Sequence, residues 1–271
     1  MTDSYAVIGN PIAHSQSPAI HAAFARQTSQ DMVYQTIFCE RGAFAVTVAR
    51  FREAGGKGMN VTLPFKHEAF DLANQRSVCA RQAGAVNTLS FRDHTLAGDN
   101  TDGVGLVRDI TDNLRFELRD RRVLLLGAGG ASFGVVGPLL AGSIQSLNIA
   151  NRTRSKAVDL RARFSAYANV DVCGYDALKG RSFDLVINAT SAGLAGAMPS
   201  LHDEVFARGA LAYDMVYGKT TPFMLFAQAR GANVAGGLGM LIEQAAESFF
   251  IWRGVRPQSA PVIELLRTFK G

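Results

Sequence analysis

From Tyr5 to about Leu89, short apolar runs alternate with stretches of helical periodicity: Tyr5-Ala6-Val7-Ile8, Val33 to Phe38, Met59-Asn60-Val61-Thr62 and Ala85-Val86-Asn87-Thr88-Leu89. That rhythm predicts an α/β fold. A second series begins at Arg121, with strand-length runs at Val123–Leu126, Leu147–Ala150, Val170–Val172, Leu185–Asn188 and Leu211–Val216 and helix-length segments between most of them. Near-continuous apolar strands separated by helices predict a doubly wound parallel sheet buried on both faces. Leu238, Leu241, Ile242, Ala245, Ala246 and Phe249 then recur at helical spacing, an apolar stripe that must pack on another element. The expected division is an N-terminal α/β domain over 1–100, a Rossmann-like domain over 101–236, and a C-terminal helical segment, 237–271, that returns to the first domain. No internal repeat is visible.

Composition narrows the class. At 271 residues, 48% hydrophobic and 19% charged, the chain suits about two packed domains and excludes a mainly disordered one. Val123 to Asn151 carries no formal charge and is long enough to span a bilayer, but six glycines and Pro138 interrupt it. A strand, a glycine turn and a buried helix explain it better than a membrane span. The net charge of +5 comes from scattered basic residues without a zinc finger or RNP-type aromatic run, so no nucleic-acid partner is expected. Cys39, Cys79 and Cys173 show no CxxC spacing, which predicts no metal site, a reducing compartment and no disulfide framework. The first residues, Met1-Thr2-Asp3-Ser4-Tyr5, do not read as a signal peptide, and a cytoplasmic location is expected.

Arg122-Val123-Leu124-Leu125-Leu126 runs directly into Gly127-Ala128-Gly129-Gly130-Ala131-Ser132 and then a helix-length segment. A glycine turn there lets backbone approach a pyrophosphate at the positive end of a helix. The next strand ends at Asn151-Arg152-Thr153-Arg154-Ser155-Lys156, where an NAD-binding chain usually offers a carboxylate to the ribose diol. Here no carboxylate stands, and Asn with Arg and Lys suits a 2′-phosphate, which predicts NADP as cofactor.

In Ser15-Gln16-Ser17-Pro18-Ala19-Ile20, Pro18 fits a first helical position and Ser17 an N-cap. Capping does not require a second hydroxyl at Ser15, and the two together can hold a small anion such as a carboxylate. Lys66 follows Asn60-Val61-Thr62-Leu63-Pro64-Phe65, which places it on a loop at a strand end; Asp102, in Gly98-Asp99-Asn100-Thr101-Asp102-Gly103, fits a helix cap or turn equally well.

Together with Tyr5 to Pro18, Gly84-Ala85-Val86-Asn87-Thr88, Asn188-Ala189-Thr190-Ser191-Ala192-Gly193 and Gly237-Leu238-Gly239-Met240, these motifs make nearly the whole chain resemble the shikimate dehydrogenase family. The resemblance implies NADPH-dependent reduction of 3-dehydroshikimate in aromatic amino acid biosynthesis. It implies Lys66 and Asp102 as the catalytic pair, Ser15 and Ser17 on the substrate carboxylate, and Thr62, Asn87, Tyr217 and Gln244 on the other polar groups. For the cofactor it implies Gly127, Ala128, Gly129, Gly130, Ala131, Asn151, Arg152, Thr153, Arg154, Lys156, Thr190, Met215 and Gly237. The small-molecule substrate is the expected partner, with the chain a monomer or homodimer and not bound to a membrane.

Three positions depart from the family pattern: Val78 where some relatives carry an acid, Phe133 where arginine is common, and a shortened segment after Tyr217. Two alternatives are a quinate/shikimate dehydrogenase paralogue using NAD, which would carry an acid near Asn151, and a non-catalytic NADP-binding regulator, which would lack one of Lys66 and Asp102.

Overall fold

The computed structural model describes residues 2–92 and 94–268. The chain forms two units, Met1–Gly105 with Leu241–Gly271, and Leu106–Met240, so the chain crosses over a few residues after the expected 100 and 236.

In the first unit, β1 (Asp3–Gly9) carries the apolar run Tyr5 to Ile8, buried on both sides, and is therefore flanked. Through α1 (Ser17–Gln27) it gains the parallel neighbour β2 (Met32–Phe38), and through α2 (Phe44–Glu53) the parallel neighbour β3 (Gly56–Val61). Next come α3 (Lys66–Leu72), the two-residue β4 (Gln75–Arg76), α4 (Val78–Ala83), β5 (Thr88–Arg92), β6 (Thr95–Asp99) and α5 (Asp102–Arg108). The strand order is β2-β1-β3-β5-β6-β4, with β5 antiparallel to both β3 and β6. The run predicted from Ala85 enters the ladder only at Thr88. Before it, Val86 N–H donates to Lys66 O and Asn87 N–H to Asp99 O, holding a loop against two other segments.

The second unit runs β7 (Arg122–Leu126), α6 (Gly130–Ala141), β8 (Ser146–Ala150), α7 (Arg154–Ala162), β9 (Val170–Cys173), β10 (Phe183–Asn188), β11 (Phe206–Asp214), α8 (Pro222–Gln228) and β12 (Asn233–Gly236). All neighbours are parallel in the order β12-β11-β10-β7-β8-β9. This is the doubly wound sheet expected, and its strand order reverses between β7 and β10, where such sheets bind ligands at their carboxyl ends. The uncharged stretch resolves into β7, a glycine turn, α6 and β8; no helix among the described residues is long and apolar enough to cross a membrane.

From Leu238 to Arg253 the chain forms α9, whose stripe Ile242, Ala245, Ala246 and Phe249 is buried, followed by α10 (Ala260–Thr268). Polar anchors fasten α9 to the first unit: Trp252 Nε1 donates to Leu89 O at 3.0 Å, its ring stacks on Tyr5 at 4.7 Å, and Arg253 pairs with Asp3.

Beneath α9 sits His21 of α1, fully buried and stacked on Tyr34 of β2 at 4.1 Å, with Phe24, Phe249 and Trp252 around it. Neither ring nitrogen has a hydrogen-bond partner. Desolvation takes its pKa down to about 3, against a weaker opposing pull from the Asn60 side chain. The folded protein thus holds His21 neutral where the unfolded chain would bind a proton. The resulting stability is complete above pH 6.5 and lost as pH falls toward 3, at roughly 1 kcal/mol per pH unit. His21→Phe should flatten the acid-side decline: urea midpoints from pH 7.5 to 4.5 should fall less steeply than in the wild type, and parallel curves would refute a neutral buried imidazole.

Candidate active site

Lys66 is the first residue of α3 and Asp102 the first of α5, so neither is on a free loop. Their side chains meet at 2.6 Å, Nζ to Oδ2, both partly exposed. The other carboxylate oxygen of Asp102 accepts from Asn87 Nδ2 at 2.8 Å. Asn87 is itself fixed from all sides. Its Oδ1 accepts from Thr101 N–H and Thr88 Oγ1, each at 2.9 Å, and its amide also faces Thr101 Oγ1 at 3.0 Å. Gln244 of α9 brings Oε1 to 3.5 Å from both Asn87 Nδ2 and Thr101 Oγ1, while its Nε2 donates to Leu241 O. Lys66, Asn87, Asp102 and Gln244, far apart in sequence, therefore form one cluster.

A second line of buried polar groups links this cluster to α1. Asn60 Nδ2 reaches Ser248 Oγ at 2.9 Å, Thr88 Oγ1 at 3.2 Å and Asn87 O at 3.2 Å, and Asn60 Oδ1 accepts from Tyr34 Oη at 2.7 Å. Burial pushes the Tyr34 phenol well up, opposed by its hydrogen bond with Ser17. The expected cap is corrected here: α1 begins at Ser17 after Gln16, and it is Ser15 Oγ that accepts the Ser17 N–H at 3.3 Å. A hydroxyl that accepts from an amide keeps its own proton to donate outward. Thr62 directly follows β3 next to this region, its methyl lying where a Cβ on Gly9 would fall. Tyr34, Asn60, Thr88, Thr101 and Ser248 were not singled out by sequence, although polar residues inside apolar runs, such as Asn60 between Met59 and Val61, are its visible trace.

In the second unit, Gly127 leaves β7 with φ +105°, a conformation that favours glycine, and its absent Cβ lies against Thr190 and Ala189 backbone. Ser132 is fully buried, and its Oγ donates to Gly127 O at 2.9 Å, tying the turn to α6. No side chain caps α6, no acid lies in its first turn, and the Cβ positions of Gly129 and Gly130 open on empty space. That is a backbone surface suited to an anion. Ala128 is buried beneath the turn and Ala131 is exposed beside it. Asn151 follows β8 with its amide on Thr153 O at 2.8 Å, and Arg152, Thr153, Arg154 and Lys156 are exposed. These donors fit a dinucleotide with a 2′-phosphate. Phe133, where a cation was missed, lies under the Arg163 guanidinium at 4.7 Å, and Val78 is exposed at the start of α4.

At the ends of β10 and β11 a buried Asp214 accepts from Asn188 Nδ2, Thr221 Oγ1 and Val216 N–H, and Asn188 Oδ1 accepts from Thr190 N–H and Oγ1. This hub, unseen in the sequence, fixes Thr190 and the chain through Met215, whose N–H donates to Asn188 O. Tyr217 lies beyond β11 and is partly exposed; desolvation raises its phenol pKa. No group of His, Cys, Asp and Glu among the described residues could hold a metal ion.

Residues 7–89 match the shikimate dehydrogenase substrate binding domain, 107–198 the shikimate / quinate 5-dehydrogenase domain and 237–267 the shikimate 5′-dehydrogenase C-terminal domain. The chain belongs to the shikimate dehydrogenase family. It is 56% identical to the shikimate dehydrogenase (NADP(+)) of Nitrosospira multiformis, covering 100% of this chain and 99% of that protein. Among solved structures it is similar to the Ael1 enzyme of Pseudomonas putida, with TM-score 0.95, 48% identity and 98% of each chain covered. It is also similar to the Thermus thermophilus shikimate 5-dehydrogenase in complex with NADP(H) and shikimate, with TM-score 0.88 and 31% identity over 98% of this chain and 99% of that one.

Gly237 shows how tightly this family's C-terminal motif is packed here: a Cβ would stand 2.3 Å from Met215 O, and Gly237 N–H already donates to Val216 O. Backbone cannot yield as a flexible side chain can. Gly237→Ala should therefore cost about 1–3 kcal/mol in urea unfolding, and wild-type stability in that variant would contradict the close approach.

Proposed function

We propose that this chain catalyses the reversible NADPH-dependent reduction of 3-dehydroshikimate to shikimate, a step of aromatic amino acid biosynthesis, with Lys66 and Asp102 handling the proton. The observation that carries the proton assignment is the 2.6 Å contact between Lys66 Nζ and Asp102, backed by Asn87. NADPH, when bound, supplies a hydride to the C3 carbonyl carbon. As the carbonyl oxygen gains charge, Lys66 gives it a proton from Nζ, and the neutral amine recovers one from solvent; in the oxidative direction the amine accepts the alcohol proton. Asp102 keeps the ammonium in place and orients the neighbouring hydroxyl. Ser15 and Ser17 hold the substrate carboxylate at the start of α1, Thr62, Gln244 and Tyr217 take remaining polar groups, and Asn87 serves both substrate and Asp102.

For NADP, the turn Gly127 to Ala131 with the N-terminus of α6 would hold the pyrophosphate. Asn151, Arg152, Thr153, Arg154 and Lys156 would take the 2′-phosphate, and Thr190, Met215 and Gly237 the nicotinamide end. We assign the activity to the cytoplasm, where Cys39, Cys79 and Cys173 stay as the free thiols they are.

Lys66→Ala should lower kcat about 10²–10⁴-fold with a smaller change in KM. Combining it with Asp102→Asn should cost less than the product of the single losses, because the pair acts as a unit; strictly multiplicative losses, or near-normal turnover without Lys66, would remove the pair from the reaction. For the cofactor, Asn151→Asp with Arg152→Ala should raise KM for NADP⁺ and move kcat/KM toward NAD⁺ by about tenfold or more, since one charge-assisted contact contributes roughly 1.5–3 kcal/mol. Equal kcat/KM for both cofactors in the wild type would overturn the 2′-phosphate assignment while leaving the substrate assignment intact.

A further inference from the structure

α5 runs into a wider, π-type turn at Asp109–Asn113, where Leu114 N–H donates back to Asp109 O at 2.9 Å. Turns of this kind recur at functional sites. The side chain that this one carries inward is Asp109, only 4% exposed. Leu106 and Ile110 beside it, with Tyr213 and Met240, belong to one buried apolar cluster. A buried carboxylate is costly where an apolar side chain would pack without penalty, so its directed bonds are what distinguish it.

Those bonds join three pieces of the second unit. Tyr213 Oη of β11 donates to Oδ2 at 2.6 Å, and Asn113 Nδ2 of the π-type turn donates to Oδ1 at 3.0 Å. The third piece is the first turn of α9. A Cβ on Gly239 would overlap the Asp109 carboxylate, so glycine there leaves the space that the carboxylate fills. A free side chain could swing aside, but this one is buried and bonded through both oxygens.

Met215 and Gly237 each stand two residues from a point that Asp109 fixes, Tyr213 before the one and Gly239 after the other. Tyr213 pairs with Ala235 of β12 and Asp214 with Gly236, so the two strands reach Met215 and Gly237 in step. Side chains alternate along β11, which sends Tyr213 and Asp214 to opposite faces of the sheet. The Asp214 hub thus holds one face, and Asp109 holds the other.

We propose that Asp109 is a positioning residue for hydride transfer, clasping Tyr213 and the Gly239 turn so that Met215 and Gly237 keep the spacing that presents the nicotinamide to the substrate. This rests on the reading that those two residues take the nicotinamide end. Asp109 acts through them and touches no reacting atom. Transfer is sensitive to such placement, since about 1 Å of displacement can cost roughly 10²-fold in rate. The phosphate end is held by the glycine turn and the basic segment after β8, neither of which the clasp touches.

Single-turnover oxidation of NADPH by 3-dehydroshikimate, with both saturating, reads the transfer step itself. Tyr213→Phe, which removes one hydroxyl, and Asp109→Ala should each slow it about tenfold or more. Asp109→Asn, still able to accept from Tyr213, should recover most of the Asp109→Ala loss. Binding of adenosine 2′,5′-bisphosphate, which carries the phosphate end without nicotinamide, should stay within about twofold of the wild type; a merely structural role would loosen both or neither. In urea, Gly239→Ala combined with Asp109→Ala should lose less stability than the two single losses together, because the two groups compete for one space. An unchanged transfer rate in Tyr213→Phe, an equal weakening of the bisphosphate, no recovery in Asp109→Asn, or strictly additive urea losses would each overturn the clasp. A wild type unable to oxidise NADPH with 3-dehydroshikimate would instead overturn the functional reading beneath it.

Discussion

The carboxylate of Asp102 is held between an ammonium and an amide, and that double hold is what the first unit is built around. An exposed Lys–Asp pair would wander, since surface ion pairs contribute little. This one is half-covered, and Asn87 fixes the oxygen that Lys66 leaves free. Asn87 cannot rotate without breaking its bonds to Thr88 and Thr101, and Thr88 leans in turn on Ser248 of α9. The geometry of the Lys66–Asp102 pair therefore depends on a helix that the chain supplies only after the whole second unit has been made.

That dependence explains the interrupted first unit. α9 is fastened by Trp252, Arg253 and Ser248 rather than by its apolar stripe alone. Apolar burial sets a helix down on a surface but leaves it free to slide, whereas directional bonds choose a register. The cost shows at His21, whose two nitrogens go unpaired under the same helix. The second unit solves a different problem, keeping backbone amides uncovered. Gly127, Gly129 and Gly130 leave the start of α6 bare, and polarity that would compete with an anion is turned inward, as in the Asp214 hub and the Ser132 hydroxyl.

Much of this was legible in the sequence because it is local. Strand runs, the glycine turn after Leu126, and the missing carboxylate at Asn151 follow from side-chain period and residue chemistry, which neighbours along the chain suffice to express. The apolar stripe of α9 was visible for the same reason. Strand ends were less so: β5 starts at Thr88 and not at Ala85, since bonds from Val86 to Lys66 and Asn87 to Asp99 come from segments brought near only by folding. Ser17 is not the cap of α1 because the chain enters the helix through a helical Gln16, which leaves Ser17 inside the first turn with its N–H on Ser15 Oγ.

The sequence by itself determined the fold class, the glycine turn after β7, the basic segment after β8 and the residue types available for proton transfer and anion binding, because each is written in residues close together. Only the tertiary structure decided that Lys66 touches Asp102, that Asn87 holds Asp102 from behind, that Gln244 arrives beside Asn87, and that β2 stands at the edge of its sheet. Each of these joins residues from different elements, 15 to 157 positions apart, or depends on which strands become neighbours. Hydrophobic pattern tells a strand which face to bury, but not which strand will lie beside it.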